Sequence, residues 1–190
     1  MLDLQREQFD HDERFHREIA RLNVEARLKH MALHFCKYTG QLAIVVLNPE
    51  NAALRSKTIT DSFIISLCSA NTLNLDLSEQ VAPELGCGAT LRDLGFHLAR
   101  QLYPAAKLDD AWLASTHAIY AAKMAAACEK IDHLEAFPFR DELQKAVLRL
   151  CQIALIAAHA NNLNLLTAVH ERRREIRSRN PFIFALHQSS

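Results

Sequence analysis

A chain of 190 residues has room for one core or two small, tightly packed ones. Lys plus Arg and Asp plus Glu stand at 22 each, so no net field draws in nucleic acid or an anionic membrane, and both are disfavoured as partners. Four Gly and five Pro are too few for a turn-rich β fold, and five scattered Cys without a C-x-x-C pair fit reduced thiols in a cytosol.

The N-terminal MLDLQREQFDHDERFHRE is polar and acidic, unlike a signal peptide, and no stretch approaches the ~20 apolar residues of a membrane span. The expected location is cytoplasmic. Ten His make the charge responsive to mild acid, because an unperturbed imidazole titrates near pH ~6.5.

The first long segment, about 10–42, carries Val24, Leu28, Met31, Phe35, Tyr38 and Leu42 at alternating spacings of four and three, which is one helical stripe. Residues 43–47 read as a helix end or a buried connector. Asn48-Pro49 reads as an N-cap followed by Pro at the first helical position. The helix it opens runs to about Asn71, with Leu54, Ile64, Ile65, Leu67 and Cys68 inward. Asn74 suits a left-handed C-cap, and Asp76 or Ser78 can cap a short helix after it.

Residues 81–90, with Pro83, Gly86 and Gly88, read as a linker. A helix over 91–102 stops near Pro104. Asp109 or Asp110 caps another, with Leu113, Tyr120, Met124, Ala127 and Ile131 on one stripe, until Phe137-Pro138 breaks it. From Asp141, Leu143, Val147, Leu150, Ala154 and Ala158 mark a further helix. A last one spans about 166–177, before an Arg-rich end and the apolar PFIFAL.

SANTLNLDL (69–77) and HANNLNLLT (159–167) match at five of nine positions without a gap. Each follows an apolar helix, which suggests a duplicated unit. The expected fold is therefore an all-α antiparallel helical bundle in two tandem halves, 1–80 and 91–190, joined by the linker.

Asp61 falls on the apolar stripe of its helix, and a lone buried carboxylate costs several kcal/mol unless it is paired or binds a metal. It reads as a ligand for a hard cation such as Mg²⁺, as an ion-pair partner of Lys57 or of a cation on a neighbouring helix, or as exposed at the stripe's edge. His30, His34, Lys37 and Gln41 form a polar line beside the first stripe. Two His one turn apart suit a transition metal, or a polar seam in which one of them bonds Asp61. Glu18 with Glu25, and Glu129 with Asp132, are carboxylate pairs of the kind that hold divalent metals between facing helices. They equally suit solvated faces. Arg172 and Arg179 belong to a C-terminal arginine run whose forks suit phosphate. No P-loop, G-x-S-x-G or zinc-finger spacing is present.

KTITDSFIISLCSANTLNLDLSE resembles the third-helix region of the MazG-like family of all-α nucleoside triphosphate pyrophosphohydrolases. There E-x-x-D opens an apolar helix that ends in an L-G-I-D-type turn. Asp61 matches the Asp, Asn74 the glycine and Asp76 the turn acid. CQIALIAAHANNLNLLTAVHERRREIRSRN resembles the same unit.

The resemblance implies a Mg²⁺-dependent enzyme whose carboxylates hold metal against a nucleoside triphosphate. Asp61 would bind Mg²⁺ with Glu18 or Glu25 and Glu129 or Asp132, while Lys37, Arg172 and Arg179 steady the phosphates. The tandem layout makes one chain a pseudo-dimer, and exposed apolar faces suit further self-association into a homo-oligomer. The sequence departs from the family where LKHMALHFCKY holds no carboxylate, Thr58 replaces the Glu of E-x-x-D, and Cys151 takes the repeat position of Asp61. These departures point equally to a bundle that keeps the fold without the chemistry and serves as a regulator or protein-interaction scaffold, with PFIFAL free to dock on a protein partner.

Overall fold

The computed structural model describes residues 1–179 other than Cys87 and Leu134. Among them the regular structure is helical and no strand occurs: α1 (Leu2–Phe15), α2 (Arg17–Ala20), α3 (Val24–Leu47), α4 (Ala52–Leu73), α5 (Leu77–Gln80), a 3-10 turn (Pro83–Leu85), α6 (Leu91–Leu102), α7 (Asp110–Asp132), α8 (Phe139–Ala160) and α9 (Leu165–Ser178). The all-α helical bundle expected from the sequence is the fold. PFIFAL lies outside the described residues, as does the thiol of Cys87. No single helix among the described residues is long and apolar enough to cross a membrane.

Four long helices make the centre. α3 packs on α4 and α7, and α8 packs on α4 and α7, while α1 covers α4 and α6 covers α8. α4 and α8 are the most enclosed, with consecutive buried residues on every side over 58–64 and 150–158. Such a helix has to be surrounded by protein. The hydroxyls buried with α4 are satisfied within the helix. Thr58, Thr60, Ser66 and Ser69 each donate to the carbonyl four residues earlier at 2.7–2.9 Å. Ser62 instead meets His117 of α7, Oγ to Nε2 at 3.1 Å. On the other flank a Cβ on Gly95 would lie 2.4 Å from the Leu155 carbonyl oxygen, so α6 and α8 touch backbone to backbone.

Several boundaries differ from the sequence reading. The first segment is not one helix, because the chain breaks at His16 and again before Val24. Val24 itself is 56% exposed and leaves the stripe, whereas Leu28 to Leu42 are buried as expected. Residues 43–47 continue α3, with Val45 fully buried. Asn48 closes α3, and the cap of α4 is Asn51, whose side chain accepts from the Leu54 N–H at 3.1 Å. Asn51 wins because Pro49 lies in the turn between the helices and does not begin α4. Asn74 (φ 51°) and the caps Asp76 and Asp109 stand where the sequence places them.

The echo has a structural counterpart, in a shifted register. The two non-glycine residues with positive φ among those described are Asn74 and Asn162, both at 51°. In each, the next amide reaches back five residues, Leu75 to the Ala70 carbonyl and Leu163 to the Ala158 carbonyl, both at 2.9 Å. Asp76 caps α5 and Asn164 caps α9. The equivalent motifs are thus Asn74-Leu-Asp-Leu and Asn162-Leu-Asn-Leu, two residues out of step with the ungapped match. In this register Arg149, and not Cys151, takes the position of Asp61. The two units share one continuous core. Val81 and Ala82 of the expected linker are buried in it, and Gln152 donates to the Val81 carbonyl at 2.9 Å.

Candidate functional site

The break at His16 shapes the site. His16 (φ −133°, ψ 41°) closes α1, its N–H bonding the Asp12 carbonyl at 2.9 Å, and its own carbonyl accepts from Ile19 and Ala20 to start α2. α1 and α2, α3, α4 and α9 thereby enclose a cavity of about 240 Å³. Gln8, His11, Asp12 and His16 line it from the N-terminal segment. Arg27, His30, His34, Lys37 and Tyr38 come from α3, Asp61 and Cys68 from α4, and Arg172 and Arg173 from α9.

The floor is built from α9. Arg172 Nε and Nη2 donate to the two oxygens of Asp61 at 2.6 and 3.1 Å, and Nη1 donates to Glu175 at 2.5 Å. The pairing of Asp61 with a cation on a neighbouring helix is therefore the one formed. Arg173, 4% exposed, locks α1 in place by donating to Gln8 at 2.9 Å, Glu7 at 2.7 Å and the Leu4 carbonyl at 3.1 Å.

On the α3 wall the Nε2 atoms of His30 and His34 lie 3.1 Å apart, and neither ring bonds Asp61. Lys37 Nζ lies 3.1 Å from His34 Nδ1, and the Tyr38 hydroxyl 3.2 Å from it. Burial, with the positive charges of Lys37, His30 and His16, pushes the His34 imidazole down to about 4. His30 is lowered by the same kind of burial. Both rings are neutral at neutral pH, so they act there as hydrogen-bonding groups. Burial, then the nearby Asp61 carboxylate, raises the Tyr38 phenol and keeps it a donor.

The remaining carboxylates expected around Asp61 stand elsewhere. Glu25 and Asp132 both take the ammonium of Lys29, where α3 meets α7. Glu129 is exposed on α7 and Glu18 is exposed on α2. With both Asp61 oxygens held by Arg172, the residues present do not fit the carboxylate Mg²⁺ site that the family resemblance implies. Of the expected phosphate ligands, Lys37 and Arg172 line the cavity, while Arg179 is exposed and bonds Glu175.

Sequence reasoning passed over His11, Asp12, His16 and Arg27, and read Arg173 only as a member of the C-terminal arginine run. In sequence they belong to polar runs that read as solvated helix. The closer spacing His11–Asp12–His16 was the available signal.

The fold and site define a class, an all-α bundle with a histidine- and arginine-lined cavity. No family model, curated protein or solved structure matches the chain.

Proposed function

We propose that the cavity binds a small phosphate-bearing molecule, a nucleoside phosphate, on a MazG-like helical scaffold. The observation that carries this reading is the convergence of under-satisfied cationic and hydrogen-bonding groups on one cavity. Arg27 Nε and both ring nitrogens of His11 are buried without a hydrogen-bond partner, and each side chain lines it. A buried donor left unbonded costs about 1–3 kcal/mol, and an anionic oxygen satisfies donors of this kind best.

Of the four lining cations, Arg172 is paired with Asp61 and Glu175 and Arg173 with Glu7, so Arg27 and Lys37 are the ones placed to meet an anion. Lys37 is exposed at the rim, where it meets incoming charge first. A volume of about 240 Å³ is somewhat below the roughly 300–1,000 Å³ of drug-sized pockets. It suits a phosphate group with part of its sugar, the remainder lying outside.

The scattered carboxylates favour a module that has kept the helical scaffold without the metal-dependent hydrolysis of its resemblance family. Self-association through the outer face of α3, where Leu33 and Leu47 are 70% and 79% exposed, goes with the same reading.

The test is calorimetric titration of the full chain with nucleoside mono-, di- and triphosphates, with product analysis for pyrophosphate. Saturable binding without turnover is expected. Lys37→Ala and Arg27→Ala each weaken it about tenfold, the loss of one charge-assisted hydrogen bond. Absence of binding by the wild-type chain overturns the reading.

A further inference from the structure

The cavity holds a second arrangement, built around His11. His11, Asp12 and His16 each offer one ligand-type atom, and these atoms all lie within 4.8 Å of one another. In a continuous helix His11 and His16 would stand roughly 140° apart around the axis. The break after Phe15 turns His16 back, so that its ring centroid lies 5.7 Å from that of His11. A chain break free of Gly and Pro thus gathers three donors from six consecutive residues.

His11 supplies the independent sign of a ligand. It is 6% exposed, lines the cavity, and neither ring nitrogen has a hydrogen-bond partner. Asp12 Oδ1 lies 3.9 Å from its Nδ1. Native proteins rarely leave a buried imidazole with both nitrogens unbonded, and a metal ion satisfies one directly.

We propose that His11, Asp12 and His16 bind one divalent first-row transition-metal ion of the Zn²⁺ type. Two imidazoles and a carboxylate are a recognised ligand set for such ions and leave a further coordination position open. The supporting shell is present. Gln8 Nε2 donates to Asp12 Oδ1 at 2.8 Å, and Arg173 fixes Gln8 in turn. Buried polar partners of this kind hold a ligating carboxylate in orientation. Imidazole nitrogen separates this class from Mg²⁺, which prefers oxygen. All three side chains line the cavity, so an ion they held would be within reach of a water or an anionic oxygen there. The site goes beyond the phosphate-binding reading and does not require it.

The experiment uses the full chain stripped with chelator, titrated with Co²⁺ and then Zn²⁺ in phosphate-free buffer containing Mg²⁺. One equivalent of Co²⁺ is expected, with visible d–d absorption that Zn²⁺ abolishes. His16→Asn lowers the affinity roughly tenfold or more, an effect at least as large as that of losing a supporting partner. Its ring is half-buried, so this variant is expected to fold, and its melting temperature without metal reports that directly. Asp12→Asn, nearly isosteric, gives the same loss, while the His30→Gln/His34→Gln double variant keeps full uptake.

Absence of stoichiometric uptake, unchanged affinity in His16→Asn, or loss confined to the His30/His34 variant would overturn the assignment. No nucleotide is present in the titration, so its failure leaves phosphate binding to be judged by its own measurement.

Discussion

The guanidinium of Arg172, on α9, grips both carboxylate oxygens of Asp61, on α4, across 111 residues of chain. The pair ties the end of the second unit to the centre of the first. It also decides what Asp61 can do, because a carboxylate held by a two-pronged fork is positioned and charge-compensated. Arg172→Met strands that carboxylate and is expected to cost about 3 kcal/mol of stability. Adding Asp61→Asn in the same chain should restore most of it, since the unpaired charge is then gone. Urea unfolding of the single and double variants measures both. Equal stability of the single and double variants would show that Asp61 is compensated by another group.

His117 should make the fold sensitive to acid. It is 1% exposed, with Thr39 Oγ1 at 3.0 Å from Nδ1, Ser62 Oγ at 3.1 Å from Nε2 and the Phe35 ring alongside. Burial among these neutral groups pushes its titration from 6.5 down to about 4. Between those values the unfolded chain binds the proton and the folded chain does not. Stability from this group is therefore complete above pH 6.5 and declines as pH falls toward 4. The full decline is of order 3 kcal/mol. Chemical denaturation across that range, with His117→Gln as the comparison, should show a flatter profile in the variant.

Gly95→Ala should destabilise the contact of α6 with α8. The added methyl meets the Leu155 carbonyl oxygen at 2.4 Å and His159 Cβ at 2.9 Å, and overpacking of this kind costs about 1–3 kcal/mol. The gain in helix propensity from Gly to Ala, at most ~1 kcal/mol, is smaller. A melting temperature at or above that of the wild type would mean that α6 can shift without loss.

The paired turns predict paired behaviour. Asn74→Gly and Asn162→Gly should leave stability unchanged or slightly raised, because both positions have positive φ. Asn74→Val and Asn162→Val should each cost about 1–2 kcal/mol, since a β-branched residue is strained there. A matching response at the two sites, read by thermal unfolding, is the energetic form of the repeat.

Much of this fold could be read from local chemistry. The caps at Asp76, Asp109 and Asn74 and the span of α6 follow from residues whose side chains or backbone preferences act within a few positions. The cavity was harder to see for two physical reasons. The break at His16 contains no Gly or Pro, so nothing local marks it, and the run from Asp10 to Glu18 reads as solvated helix. Burial of that run comes from α9, through Arg173 bonding Gln8, Glu7 and the Leu4 carbonyl, contacts with no signature in spacing. The repeat misled by two residues for a related reason. Identity of letters favoured the ungapped match, while backbone geometry aligns Asn-Leu-Asp-Leu with Asn-Leu-Asn-Leu. Asp61 was singled out correctly as a buried carboxylate, but only the folded chain chooses Arg172 among its candidate partners.

The most direct measurement of the central claim is the melting temperature of the full chain across nucleoside mono-, di- and triphosphates, each with and without Mg²⁺. A ligand that binds only the folded chain stabilises it by about 2.7 kcal/mol at a hundredfold excess over Kd. The account predicts a rise with phosphate-bearing ligands that persists without Mg²⁺, falls at high salt, and disappears in Lys37→Ala combined with Arg27→Ala. A melting temperature unmoved by every nucleotide, or a rise that survives the double substitution, would contradict it.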